Sequence, residues 1–211
     1  MTKLYYAPGA CSLAAHLVLE ETGAPYELEV VNLRDGQQHT AAYRALNPKG
    51  RVPLLEDGEL LLTEVTAIMV YLACKHPDAA LLPENPQTLA RCLEWCSWLA
   101  SSVHAAAVAQ IWRPQRFADD PALHGAISEK GKTNLRESFD LIEKRLTGCH
   151  WAVGSQYSLV DPYLLVFYRW GYRMELDMRA HYPQWTAHAE RLYSREAIRQ
   201  ALEQEGIGIW P

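Results

Sequence analysis

The chain has 211 residues, 49 % apolar and 21 % charged, which is enough for a substantial core and a poor match for disorder. Its 20 basic and 25 acidic side chains leave a formal net charge of -5, which excludes a broad basic footprint for nucleic acid but not a local cluster of Arg and Lys around an anionic ligand. No stretch approaches the roughly 18 uninterrupted apolar residues of a membrane span, and the start MTKLYYAPGA lacks a signal-peptide pattern, so a cytoplasmic protein without a membrane segment is expected.

In chain order, residues 3–6 read as a short apolar strand ending at Pro8-Gly9. Residues 11–22 follow with helical spacing (Leu13, Leu17, Val18-Leu19) and stop at Gly23, a suitable C′ glycine. Residues 26–33 read as a second strand. Residues 52–55 and 59–62 read as a hairpin around Asp57-Gly58, and Thr63 as the N-cap of a helix to about Lys75. The order β-α-β, a variable connection, then β-β-α makes the first two strands parallel and adds an antiparallel hairpin. That arrangement is thioredoxin-like.

Residues 76–86 are rich in Pro and polar side chains. The sequence therefore predicts an α+β protein with a thioredoxin-like domain over 1–77, a linker over 78–86 and an all-helical domain over 87–211. In the second half Leu89, Cys92, Leu93, Cys96, Leu99, Ala100, Val103 and Ala107 trace the apolar face of a long helix. Further helices are expected over 122–146, 158–173, 184–193 and 195–204.

Five cysteines (Cys11, Cys74, Cys92, Cys96, Cys149) without framework spacing read as free thiols. Cys92 and Cys96 lie four apart on a helix but have no second ligand pair, so they read as buried structural cysteines and no metal site is expected. Cys11 is different, because it sits where the first strand turns into the first helix. Unpaired N–H groups and the positive end of the helix dipole favour a thiolate there; the alternative is a small buried cysteine in a cap. In Asn47-Pro48-Lys49-Gly50-Arg51-Val52-Pro53, a cis bond before Pro53 would turn the backbone of Val52 outward to pair with an extended peptide; the alternative is an ordinary loop.

Leu62-Thr63-Glu64-Val65-Thr66 puts a carboxylate at a helix start. Free N–H groups there suit a carboxylate ligand while Glu64 suits an ammonium, together the α-centre of an amino acid; the alternative is a plain capping Glu. Glu94, Ser97, Ser101 and His104 form a polar stripe at i, i+3, i+7 and i+10. A solvated face explains the stripe equally well, but His104, set among Val103 and alanines, is suited to donate to a thiol in an interdomain cleft. Ser158-Leu159-Val160-Asp161 reads as a folding signal resembling a capping box. Tyr168, Trp170 and Tyr172 near Arg169 read as core and interdomain packing; the alternative is that one of them lines an apolar substrate cleft.

Taken in order, residues 5–12, 47–53 and 62–64, His104, and residues 158–163 resemble the beta class of glutathione S-transferases over essentially the whole chain. The resemblance implies a cytosolic homodimer that conjugates glutathione to small hydrophobic electrophiles in detoxification, with mixed-disulfide chemistry in several members. By position it implies that Cys11 is the class cysteine and His104 its support. It assigns Val52 and Pro53 to the cysteinyl backbone of glutathione, and Glu64 and Val65 to the γ-glutamyl end. Ser97 and Ser101 fall where the helical domain, the partner subunit's included, approaches glutathione. Val65 stands where related enzymes commonly have Ser or Gly, offering an N–H but no hydroxyl. Tyr6 and Ser12 occupy places where other classes use a tyrosine or serine hydroxyl, so the activating group stays open among Cys11, Tyr6 and Ser12. A monothiol glutathione-dependent oxidoreductase and a non-catalytic ligand-binding module are the alternative functions.

Overall fold

Alternation along β1 (Thr2–Tyr6) sets the sheet, with Thr2, Leu4 and Tyr6 buried and Lys3 and Tyr5 half-buried on the other face. In the computed structural model, which describes residues 1–210, β1 lies parallel to β2 (Tyr26–Val30) and antiparallel to β3 (Leu54–Asp57), and β3 continues antiparallel to β4 (Leu60–Thr63). The strand order is β2-β1-β3-β4. The expected helical half runs to Pro211, which lies outside the described residues.

The crossover helix α1 (Ser12–Thr22) buries Leu13, Leu17 and Val18 completely. It ends at Gly23, whose φ of 64° suits glycine and lets its N–H reach Glu20 O. β2 stops at Val30, earlier than residue 33, because Asn32 turns the chain: its Oδ1 accepts from the N–H groups of Arg34 and Asp35. A short helix α2 (Ala41–Leu46) is capped by Thr40 and leads to β3, whose ladder begins at Leu54. Thr63 is not a helix cap. It pairs with Leu54 as the last residue of β4, and Glu64, at φ 74°, makes the turn into α3 (Val65–Lys75) with no side-chain capping bond. A non-glycine residue there costs about 1–3 kcal/mol of backbone strain.

α4 (Pro86–Trp98) starts where Asn85 Oδ1 accepts from the N–H groups of Gln87 and Thr88. It passes into a π-helical segment, Leu99–Val108, and a closing turn α5 (Ala109–Trp112). Cys92, Cys96, Leu99, Val103 and Ala107 are buried as expected, but Leu93 is 38 % exposed and Trp95 replaces it on the inner face. The rest is α6 (His124–Leu146), α7 (Val160–Arg173), α8 (Met178–His181), α9 (Pro183–Tyr193) and α10 (Glu196–Gln204). α7 is buried from Val160 to Gly171 and forms the axis of the helical half. At its start the Asp161 carboxylate accepts from Ser158 N–H and Oγ, Ala152 N–H and His188 Nε2, so this acid serves folding. α1 packs against α3 on one side and α7 and α10 on the other, and one core therefore spans both halves. Among the described residues no helix is long and apolar enough to cross a membrane.

Candidate active site between the two halves

The loop between β1 and α1 is gripped from the helical half. Gly9 N–H donates to Glu205 Oε2 at 2.7 Å, and Gly9 C=O accepts from Trp170 Nε1 at 2.9 Å. Gly9 has φ 68°, and a Cβ there would come within 3.2 Å of an Arg169 guanidinium nitrogen, so side chain and backbone both call for glycine. The other oxygen of Glu205 pairs with His16 Nδ1 at 2.9 Å inside the protein. Ser12 Oγ is spent within the same turn, donating to Ala7 O and accepting Ala7 N–H.

Cys11 follows this loop as the residue before α1, 9 % exposed, and its thiol donates to Val52 O at 3.5 Å. Burial pushes the thiol up to about 12; Glu64 adds to the rise, while the N–H groups of Cys11 and Ser12 and the charge of Arg113 only partly offset it. The expected thiolate is therefore absent at neutral pH. Loss of water outweighs the helix start.

Val52 and Pro53 are joined by a cis peptide bond and both are buried. The preceding peptide is held by Tyr43 Oη and Asn47 Nδ2, which donate to Arg51 O at 2.8 and 2.6 Å. The N–H of Val52 has no protein acceptor among the described residues. Glu64 points outward, its side chain 69 % exposed and paired with Lys49 at 2.5 Å. Beside it the N–H groups of Val65 and Thr66 begin α3 and are the unpaired donors of a first turn. The Val65 side chain packs into the main core.

His104 lies in the π segment, where Ala109 N–H reaches back to His104 O. The wider turn takes the residues after Leu99 off the 3.6-residue register. The expected stripe consequently divides. Ser97 and Ser101 stay exposed and bond to each other through Ser101 Oγ and Ser97 O, and Glu94 pairs with Arg91. His104 is partly buried, with its ring 5.0 Å from Trp170 and 6.4 Å from Phe167. Loss of water, then the charges of Arg116, Arg113 and Arg51, bring its pKa down to about 4 despite an opposing pull from Glu64. The imidazole is neutral at pH 7 and has no hydrogen-bond partner among the described residues.

The charges of Glu64 and Arg113 act on both Cys11 and His104, although no hydrogen bond joins the two. Sequence reasoning gave no role to three arginines whose charges act on His104: Arg51, Arg113 and Arg116. The only signal was Arg113-Pro114-Gln115-Arg116 directly after the long helix. It also missed Tyr163, a buried hydroxyl with no partner that feels Cys11, Cys96 and Glu64. Among the described residues no group of three or more His, Cys, Asp or Glu could hold a metal.

Comparison with known proteins identifies the family. The family profile described as glutathione S-transferase, N-terminal domain, matches residues 1–74, and that for the C-terminal domain matches residues 124–196. Glutathione S-transferase GstA of Escherichia coli O157:H7 is 34 % identical over 209 residues, covering 97 % of this chain and 99 % of its own. The chain belongs to the glutathione S-transferase family. It is an enzyme of that family with glutathione as co-substrate. A glutathione transferase homologue from Sulfitobacter, solved with bound glutathione, superposes with a TM-score of 0.92 at 30 % identity over 99 % of both chains. A bacterial beta class glutathione S-transferase of Sphingomonas chungbukensis gives 0.85 at 32 % identity, over 98 % of this chain and 100 % of its own. The transferase fold, a thioredoxin-like domain followed by an all-helical one, is thus shared along the chain.

Proposed function

We propose that this transferase is of the beta class and works as a cytoplasmic homodimer, conjugating glutathione to small apolar electrophiles in detoxification. One observation carries the reading: the Cys11 thiol bonds to the carbonyl of Val52, so sulfur chemistry and a peptide-pairing backbone share one surface with the exposed Glu64 carboxylate beyond them. Residues 1–77 and 87–211 are its two functional halves, with 78–86 between them. A helix start at Pro86 and the short helical turn Pro77–Ala79 support that division.

Glutathione pairs its cysteinyl backbone with Val52 ahead of Pro53. Its α-carboxylate meets the N–H groups of Val65 and Thr66, and its ammonium replaces Lys49 on Glu64. The glutathione sulfur then lies beside Cys11. As a thiolate it attacks the electrophilic carbon, a C–S bond forms, and the leaving group departs with the bond electrons. Cys11, kept protonated by burial, donates to that thiolate rather than competing with it. Neutral His104 offers a second hydrogen-bond contact to that thiolate; with its pKa about 4 it is too weak a base to hold the thiol proton, which goes directly to solvent. Ser12 is committed to Ala7, which favours Cys11 as the assisting group.

The second reading is thiol-disulfide exchange, in which the Cys11 sulfur displaces one glutathione from oxidised glutathione and leaves a Cys11–glutathione mixed disulfide. Turnover of an aryl chloride with glutathione, run beside reduction of a mixed disulfide, separates the two. Cys11→Ala is expected to abolish the adduct found by mass spectrometry and to lower conjugation less. Full activity of Cys11→Ala in both assays would move the assignment to Tyr6. For assembly, Ser97, Ser101 and the 38 % exposed Leu93 occupy the outer face of the long helix. Sedimentation at micromolar concentration is expected to give a dimer, and monomer alone would count against it.

A further inference from the structure

A cavity opens in the helical half where α5, α6 and the end of α7 meet. Gly131 lets α6 press on the end of the long helix: a Cβ there would come within 2.7 Å of Gln110 Cβ and 3.0 Å of Ala107 O. Beside it Asn134 Nδ2 donates to Gln110 Oε1 at 2.9 Å. On the third side α7 stops at Arg173 and the chain doubles back. Leu176 N–H donates to Gly171 O at 3.1 Å and Glu175 N–H to Tyr172 O at 3.0 Å, with Glu175 at φ 61° in the place a glycine usually takes. Between these three segments a volume of about 230 Å³ is left unfilled. Cys11, Val52, Glu64 and His104 are not among the residues that line it.

The lining divides by chemistry. Ile111, Leu135, Met174 and Leu176 pack on the main core and make an apolar floor. Around them stand the exposed charges of Lys132, Arg136, Arg173 and Glu175. Lys132 is paired with Glu129 at 2.6 Å. The Arg173 guanidinium lies over the Trp112 ring, 5.5 Å from its centre, and that stack keeps the cation at the wall of the cavity. Arg136, Arg173 and Glu175 form no ion pair among the described residues. The rim thus carries one net positive charge that no protein group answers.

Size and charge together select an occupant. A cavity on the order of 150 Å³ holds a benzene, so this one has room for a single ring or a fused pair. A flat apolar body would displace water from the floor, and a carboxylate on it would meet the guanidiniums. We propose that this cavity binds a compact aromatic monocarboxylate, its ring on Ile111, Leu135 and Leu176 and its acid on Arg136 and Arg173. The site is separate from the catalytic cleft and does not depend on the conjugating reading.

The probes are 2-naphthoate and its neutral carboxamide, titrated by calorimetry into the full chain saturated with S-hexylglutathione, which occupies the catalytic cleft. The carboxylate is expected to bind once per chain and to be favoured over the amide by about fivefold or more, less so at high salt. The preference should fall towards one in the double variant Arg136→Gln, Arg173→Gln. It should persist in Lys144→Gln, which removes an exposed cation further along α6. Glu175→Gln, which removes the one like charge, should tighten naphthoate by roughly twofold. Equal binding of acid and amide, or a preference that survives the double variant, overturns the inference. So does sodium acetate binding as tightly as naphthoate, because the floor would then contribute nothing. Loss of naphthoate binding when S-hexylglutathione is present overturns it as well, since the acid would then have been sitting in the catalytic cleft. None of these measurements reads turnover, so failure of the conjugating reading would leave the site standing.

Discussion

On the thioredoxin-like wall of the cleft the groups facing the ligand space are backbone N–H groups at Val52, Val65 and Thr66 and the exposed carboxylate of Glu64. On the helical side they are side chains: His104, its ring 5.0 Å from the buried Trp170, and Arg113 and Arg116, whose charges act on it. Backbone donors keep their geometry through most substitutions, so the first wall suits a constant partner such as a tripeptide. Side chains change one at a time, so the second wall is where preference for the other substrate can be adjusted. Cys11 sits at the seam, on the first wall by sequence and sealed by both.

The largest effect that would break this comparison is at Cys11. If the seam buries it, alkylation by a bulky reagent at pH 8 should be on the order of a thousandfold slower than at the exposed Cys74 and Cys149, because so little of a thiol titrating near 12 is thiolate. Its rate should keep climbing with pH above 9. A plateau near pH 8, followed residue by residue in mass spectra, would mean that the helix start prevails over burial.

On the helical wall, His104→Ala should lower kcat/KM by roughly tenfold to a hundredfold, as expected for one supporting polar group. Activity within twofold of the parent would make this ring packing only. The same residue gives a pH test of stability. Its folded pKa, about 4, lies below the unfolded 6.5, so across that window the unfolded chain binds more protons and stability falls as pH is lowered. The contribution is at most about 3 kcal/mol, and His104→Phe should flatten the slope of urea-unfolding free energy between pH 6.5 and 4.

On the thioredoxin-like wall, Glu64→Gln should weaken glutathione binding by roughly tenfold, through loss of one charge-assisted bond to the ammonium. Calorimetry finding no change would leave Glu64 to Lys49 alone. The smallest effect belongs to Val65→Ser. A new hydroxyl at the start of α3 should tighten glutathione by about 1 kcal/mol or less. Val65 is only 8 % exposed and packed in the core, so roughly 1–2 kcal/mol of stability should be lost with it. Unchanged affinity with a lower melting temperature would show that the backbone N–H already suffices.

By itself the sequence determined what depends on near neighbours. The order of strands and helices, the stop at Gly23, the turn at Asp57-Gly58 and the positions of Cys11, Val52-Pro53 and Glu64 follow from periodicity and turn chemistry within a few residues. It overextended β2 and misread Thr63, where an Asx turn and strand pairing override simple propensity. Only the tertiary structure decided how those groups behave. The grip on Gly9 comes from Trp170 and Glu205, far along the chain. The protonated Cys11 and neutral His104 arise from water expelled when distant helices close over them, and from arginines whose charges act through space. Desolvation and long-range charge depend on what packs beside a residue, and no local pattern of letters records that.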